Sequence, residues 1–221
     1  MIRTTRAAIA SGQGHFAIES IEVASPQGDE VLVEIRASGL CHTDHASLSW
    51  KRPLVMGHEG AGVVLEVGPE VTDVCPGDRV VLNWVVPCGT CSACHRGAAV
   101  HCHSSRPAHV MEPSAAHAHA AGTLLRGVPV DRSFNLGTLC GLALVRQAEV
   151  TRLETRVSFE SACIVGCGVM TGFGSAVNVA RVAPGSAVAV IGCGGVGLNV
   201  IQGARIAGAS RITALDLQAA S

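Results

Sequence analysis

Aromatic side chains are scarce in this sequence of 221 residues: no Tyr, four Phe and two Trp, 3% in all. With so few rings, a stacking platform for nucleic-acid bases or sugars is excluded. Charge is scarce as well. Asp, Glu, Lys and Arg make up 15% of the chain, 16 basic against 17 acidic, for a net charge of −1. That balance argues against a nucleic-acid surface and against a polybasic membrane anchor. The N-terminus, Met-Ile-Arg-Thr-Thr-Arg-Ala-Ala-Ile-Ala, lacks a complete signal-peptide core and reads as a first strand. Two stretches, Ser161 to Ala180 and Val182 to Ala204, carry no charge and approach the length of a membrane span. Repeated glycines break both, and Pro184-Gly185 interrupts the start of the second. Buried strands of a parallel sheet are equally apolar, so no membrane span is expected and a cytoplasmic location is.

Hydrophobic residues, by contrast, reach 48%, ample for one or two domains with real cores. There are ten cysteines. Without an export signal, their clustering points to thiolate–metal chemistry in a reducing compartment rather than to disulfides.

Residues 1–85 read as β-rich. Val31, Val33, Ile35 and Ala37 alternate on one face, 61–67 and 79–82 are further strands, and Pro26-Gln-Gly, Gly68-Pro69 and Pro76-Gly77-Asp78 are turns. Short strands with Pro/Gly corners suggest a closed or partly closed barrel. Residues 86–104 form a cysteine-rich lobe, and 104–130 read as a surface excursion rich in Ala, His and Pro. Strand character returns over 139–150, and a helical pattern runs from Ser158 to Arg181.

The stretch Ser186 to Gly197 carries the strongest local signal. The apolar run Ala187 to Ile191 breaks into Gly192-x-Gly194-Gly195-Val196-Gly197. Val196, Val200, Ala204 and Ala207 then recur at helical spacing, with Gly208 as a C-terminal cap. A second run, Arg211 to Leu215, ends in Asp216, 24 residues after Gly192. This is a dinucleotide fingerprint in its required context. The first glycine makes the tight turn, and the second admits a pyrophosphate to the helix N-terminus. The third lets helix and strand pack closely, and the acid accepts a ribose hydroxyl. An acid at Asp216 would repel a 2′-phosphate, which favours NAD over NADP. The plainer reading is a glycine-rich turn between a core strand and a helix.

Cys88, Cys91, Cys94 and Cys102 are separated by two, two and seven residues. Four thiolates can surround one zinc with no open position, which makes a structural site. An iron–sulfur cluster, a metal-free loop, or substitution of a thiolate by His95, His101 or His103 are the alternatives. A second set is more dispersed: Cys41-His42-Thr43-Asp44, Gly57-His58-Glu59-Gly60-Ala61-Gly62, and Cys167 between Gly166 and Gly168. Cys41, His58 and Cys167 would give zinc three ligands and leave a fourth position open, as catalysis requires. Cys75, Cys140, Cys163 and Cys193 read as core packing.

Gly57-His-Glu-x-x-Gly62 with Gly68 and Val71 resembles the zinc alcohol dehydrogenase signature. Cys41-His-Thr-Asp, Pro76-Gly-Asp-Arg-Val80, the four-cysteine lobe, Gly166-Cys-Gly168 and the 192–197 fingerprint follow the same family in the same order. The resemblance covers nearly the whole chain and is greatest to the class III-like, bacterial long-lobe branch of the medium-chain enzymes. It implies a mixed α/β fold with two parts. A β-rich GroES-like catalytic domain over 1–165, with its zinc lobe at 86–104, precedes the first β-α-β of a Rossmann domain over 166–221. It implies two zinc ions per chain and NAD, a small alcohol or aldehyde as substrate, and a homo-oligomer. Cys41, His58 and Cys167 would hold the catalytic zinc with Glu59 behind it. Thr43 would take the alcohol proton, and His42 would lie near the pyrophosphate. Thr171, Gly192, Gly194, Gly195, Val196, Gly197 and Asp216 would bind cofactor, and Trp84 would wall the substrate pocket.

There are departures. The family's relay histidine often stands five residues after the first zinc cysteine. That position is Ala46 here, with His45 one residue early. The loop from Ala46 to Met56 is short and has no acid, unlike the long acidic loop of glutathione-adduct enzymes. The expected activity is NAD-linked interconversion of a primary aliphatic or aryl alcohol and its aldehyde. A polyol or secondary-alcohol dehydrogenase is the enzymatic alternative, against which Cys167 argues. The sequence supplies one β-α-β of a doubly wound domain, so a truncated zinc-binding fragment with weak NAD binding and little turnover is the other.

Overall fold

The computed structural model describes residues 1–50, 52–98, 101–102, 122–154 and 156–218. Its contacts divide the chain into Met1–Cys163 and Ile164–Ser221, where a division after residue 165 was expected. Most of the expected excursion at 104–130 lies outside the described residues.

The first unit is built from β1 (Ile2–Ala10), β2 (Phe16–Ala24), β3 (Glu30–Gly39), helix α1 (His42–Ser47), β4 (Leu54–Val55), β5 (Glu59–Val67) and β6 (Arg79–Leu82). A short helix α2 (Ser92–His95) follows, then β7 (Thr123–Leu125), β8 (Val128–Pro129), β9 (Asp131–Arg132), β10 (Leu142–Arg146), β11 (Val150–Arg152) and α3 (Phe159–Ala162). The strands form two sheets, ordered β8-β7-β2-β1-β4-β9 and β10-β3-β5-β6-β11. Among the described residues every pairing in this unit is antiparallel except β4 with β9, which runs parallel.

Strand β3 shows why two sheets make one barrel-like unit. Alternation puts Val31 and Val33 into a core with Val64, Val80, Leu82, Leu136 and Val145. Leu32 points the other way, into a second core with Ile9, Ile21, Val23, Val55 and Leu144. The strand is therefore covered on both sides. Segment 138–141 then stitches the sheets together. Leu139 receives the Ala8 N–H on its carbonyl at 2.9 Å and donates its own N–H to Met56 at 2.9 Å, while the Gly141 carbonyl takes the Ile35 N–H at 3.1 Å.

Strand β2 has no clear sequence signature because its apolar residues change faces halfway while its buried face does not. Phe16 and Ile18 are exposed, whereas Ile21 and Val23 are buried, so the period-two pattern loses phase at Ser20. Two cysteines expected in the core are elsewhere. Cys75 is exposed beside the Pro76-Gly77 turn, where its N–H donates to Asp78 at 2.9 Å. Cys193 is only partly buried, in the glycine turn. Cys163 is buried. The Cys140 thiol, held against the Gly137 and Leu142 carbonyls at 3.0 Å, is pushed up to about 12 by burial.

The second unit contains α4 (Gly168–Gly174), a π-helical turn at Ser175–Val179, β12 (Ala187–Ile191), α5 (Gly195–Ile206) and β13 (Arg211–Leu215). β12 and β13 pair in parallel from Ala187↔Arg211 to Ile191↔Leu215. α4 and α5 approach closely because Gly172 has no side chain: a Cβ there would lie 2.4 Å from the Val196 carbonyl oxygen. The uncharged stretches are thus packed short helices and a strand. No single helix among the described residues is long and apolar enough to cross a membrane.

Gly62 faces Ile35 across β5 and β3, and an added Cβ would sit 2.0 Å from the Glu34 carbonyl oxygen. Gly62→Ala should therefore lower unfolding free energy by about 2 to 3 kcal/mol in urea titration. Gly194→Ala, where a Cβ meets nothing within 4 Å, should change it by less than about 0.5 kcal/mol.

Candidate metal and cofactor sites

The chain leaves β3 at Gly39 and turns into α1, with Cys41 as its N-cap in extended backbone. The Cys41 N–H donates to Asp44 Oδ2 at 2.9 Å, and the Asp44 N–H returns to the Cys41 carbonyl at 3.0 Å. This reciprocal cap fixes the thiol at the helix start. The other oxygen of Asp44 lies 3.2 Å from His58 Nδ1. Both side chains are buried. An ionised carboxylate only accepts, so in the neutral imidazole the hydrogen sits on Nδ1 and Nε2 keeps its lone pair. Asp44 appears in the sequence motif, but only the fold shows it reaching 14 residues along the chain to orient an imidazole. The one sequence clue was its position three residues after an N-cap.

His58 immediately precedes β5, and Glu59 begins it. Gly57 has φ +91°, and a Cβ there would strike the Leu139 nitrogen at 2.4 Å, so only glycine permits this entry. The Cys41 thiol, a His58 ring nitrogen and a Glu59 carboxylate oxygen all lie within 4.8 Å of one another. Burial opposes the Cys41 thiolate, but hydrogen bonds with Thr43 and the adjacent His58 outweigh it, and the pKa falls. Burial likewise opposes a charged His58, yet Asp44 and then Cys41 together outweigh it and the pKa rises. Two acidic groups and an imidazole, closely packed with His58 and Glu59 buried, are a donor set that a divalent cation would stabilise.

Thr43 is half-buried, with its hydroxyl 3.7 Å from the Cys41 sulfur. His42 and His45 both lie on the exposed face of α1. Trp84 follows β6 and packs on the first core. Its indole N–H is buried with no hydrogen-bond partner among the described residues. Phe134 was not anticipated at all. Its ring centroid is 4.6 Å from those of His58 and Trp84 and 6.4 Å from that of Trp50. It stands in left-handed backbone, φ 52° and ψ 32°, which sequence patterns do not reveal for a bulky residue.

In the lobe, Cys91 caps α2, and the four sulfurs of Cys88, Cys91, Cys94 and Cys102 lie within 4.8 Å of one another. Metal–sulfur bonds of about 2.3 Å in a tetrahedron give edges of about 3.8 Å, so the cluster fits one zinc ion. None of the four is in a disulfide. Backbone N–H groups already point at sulfur: Cys91 to Cys88 at 3.3 Å and Cys88 to Cys102 at 3.3 Å. The hydroxyl and backbone of Thr90, with the N–H of Cys91, lower the Cys88 pKa to about 5. Burial and the Cys91 thiol raise that of Cys94 to about 11.

In the second unit, Cys167 is the N-cap of α4 and Thr171 is exposed one turn later. The three glycines of the fingerprint differ in what they permit. Gly192 has φ +92°. Gly194 is the N-cap of α5, and a Cβ on it would meet open space. A Cβ on Gly197 would lie 1.8 Å from the Gly192 carbonyl oxygen. Gly195 and Val196 form the first turn of α5, with Val196 exposed. At the end of β13, Asp216 accepts the Cys193 N–H at 2.7 Å and the Gln218 N–H at 3.1 Å. The Cys193 bond, then that from Gln218, holds its pKa below the usual carboxylate value.

Comparison with known proteins follows the same outline. The sequence profile of the alcohol dehydrogenase GroES-like domain matches residues 27–155. An alcohol dehydrogenase B from Mycobacterium tuberculosis is 39% identical over 206 residues, 91% of this chain and 54% of that protein. An S-(hydroxymethyl)glutathione dehydrogenase from Paracoccus denitrificans is 37% identical over 219 residues, 96% of this chain and 58% of that protein. The benzyl alcohol dehydrogenase structure from Acinetobacter calcoaceticus superposes with a TM-score of 0.85 at 31% identity, covering 98% of this chain and 59% of that one. The chain thus spans between half and two thirds of the length of these relatives.

In the metal-stripped chain at pH 7, iodoacetamide should modify Cys88 at least about tenfold faster than Cys94, because Cys88 is thiolate and Cys94 is thiol. Peptide mapping by mass spectrometry reads the order, and zinc should protect both.

Proposed function

From its membership in the zinc-dependent medium-chain alcohol dehydrogenase family, we propose that this chain is the catalytic and first cofactor-binding part of an NAD-linked enzyme. That enzyme interconverts a primary alcohol and its aldehyde. The cluster of Cys41, His58 and Glu59 carries the reading. Cys41 and His58, with Cys167 as third ligand, would hold a catalytic zinc and leave one position for substrate, with Glu59 behind the ion. Cys88, Cys91, Cys94 and Cys102 would hold a structural zinc. When bound, the catalytic zinc supplies a Lewis acid for the alcohol oxygen and the dinucleotide supplies a hydride acceptor.

The chain's own residues do the rest. Asp44 keeps the His58 ring in one tautomer and orientation. Thr43, beside the Cys41 sulfur, accepts the alcohol proton on its hydroxyl and passes its own onward. His45 is exposed, so proton exit to water needs no long internal relay from this region. Trp84, partly buried against the first core, would present an apolar face to a substrate chain or ring. His42 is an exposed donor suited to a phosphate, and Thr171 and Val196, both exposed, would meet the nicotinamide. Gly192, Gly194, Gly195 and Gly197 leave the N-terminus of α5 open to a pyrophosphate.

Asp216 is held ionised and aimed at the glycine turn, which suits a free ribose diol and disfavours a 2′-phosphate. The short loop at 46–56 carries Lys51 and Arg52 but no acid, which favours a simple aliphatic or aryl alcohol over a glutathione adduct. A homo-oligomer accords with the family's habit, and a reducing, cytoplasmic setting with ten cysteines that form no disulfide among the described residues.

Metal analysis of the purified chain tests the site. Two zinc ions per chain are expected, with Cys167→Ser and Cys88→Ser each removing one. Retention of both ions by Cys167→Ser would refute the third-ligand assignment. In the complete enzyme, Asp216→Asn should cut the preference for NAD over NADP by about tenfold or more, read as the ratio of kcat/KM values. An unchanged ratio would remove Asp216 from cofactor selection.

A further inference from the structure

Phe134 lies in a short helical turn at Ser133–Asn135, and both it and Asn135 adopt left-handed backbone, with φ of 52° and 64°. Asparagine tolerates that region, but phenylalanine rarely enters it. Such a conformation persists only where the surroundings over-determine it, and both ends of this turn are pinned. Ser133 is fully buried and its carbonyl accepts the N–H groups of Leu136 at 3.0 Å and Gly137 at 3.1 Å. Leu136 is fully buried in the first core, and the Thr138 N–H donates to the Gly57 carbonyl at 3.0 Å, next to His58. Glycine at 134 would relieve the backbone and forfeit the ring. With the ring in place, the turn drives a buried aromatic group between His58 and Trp84.

The contacts are specific. The Phe134 ring is tilted 40° to the His58 imidazole and 52° to the Trp84 indole, each at 4.6 Å between centroids. Asp44 holds one edge of the imidazole at 3.2 Å. That hydrogen bond is made at the edge of the ring; Phe134, packed against the imidazole, adds a steric limit on the tilt of its plane. We propose that Phe134 is a positioning residue for the Cys41–His58 metal site: it locks the plane of His58 and ties the indole of Trp84 to the same support. It touches no reacting atom. The inference rests on the reading that Cys41 and His58 hold a metal ion.

The test uses the purified full chain loaded with Co²⁺ or Zn²⁺, and follows metal release to a chelator together with the visible Co²⁺ spectrum. The four-thiolate lobe is an internal control, because it contains none of these contacts. Phe134→Leu keeps apolar bulk and removes the ring. It should speed metal loss from the Cys41–His58 site by tenfold to a hundredfold, the range for lost ligand support. It should also change the Co²⁺ bands of that site and leave lobe release unchanged. Phe134→Tyr, which keeps a ring, should restore slow release. Release from both sites at wild-type rates in Phe134→Leu, with an unaltered spectrum, would overturn this inference while leaving the metal site standing. Equal loss from both sites in Phe134→Leu and in a second variant, Phe134→Met, would overturn it in favour of a general packing role. A wild-type chain that binds metal only in the lobe would overturn the site and the inference together.

Discussion

Anionic donors gathered in a small space without a counter-charge oppose the fold that gathers them. The chain does this twice. Cys41, His58 and Glu59 meet where β3 ends and β5 begins, and four cysteine sulfurs converge in a small lobe. Each cluster is held by devices that accept strain or restrict sequence. Gly57 enters β5 through positive φ, Phe134 sits in left-handed backbone, and backbone N–H groups aim at the sulfurs of Cys88 and Cys102. A cation at each cluster would convert that repulsion into attraction, which would make metal binding part of the folding energetics as well as of the chemistry.

The barrel-like unit supplies the rigidity those clusters need. Strand β3 is buried on both sides, so its last residues cannot drift, and α1 with Cys41 follows directly from them. Segment 138–141 bonds to β1, β3 and the residues before β5, and thereby fixes the approach to His58. Donors carried at the ends of such strands are better placed than donors on free loops. The lobe solves the same problem differently. Among its described residues only Ala93 and Cys102 are well buried, so four ligands stand in for a hydrophobic core.

Much of this was legible in the sequence, because the chemistry is local. The lobe cysteines are bound to each other by short spacing, and the fingerprint glycines lie within six residues. The strands at 31–37, 61–67 and 79–82 and the β-α-β at 187–215 follow directly from periodicity, and the fold places strands and helix there. What escaped was non-local or out of phase. The apolar residues of β2 change faces at Ser20, with Phe16 and Ile18 on the exposed face and Ile21 and Val23 on the buried one, which erases alternation. The part played by Asp44 appears only when His58 is brought beside it, and that of Phe134 depends on a backbone conformation no propensity scale assigns to phenylalanine. Cys75 and Cys193 show the converse error: cysteine in an apolar neighbourhood is not always core.

The central claim is that one chain builds two distinct metal centres, one closed and one with a vacant coordination position. Anomalous diffraction across the zinc absorption edge, from crystals of the purified protein, addresses it most directly. The account predicts two zinc peaks, one ringed by Cys88, Cys91, Cys94 and Cys102 and the other against Cys41 and His58. A single peak confined to the lobe, or a second peak with His58 turned away from it, would contradict the account.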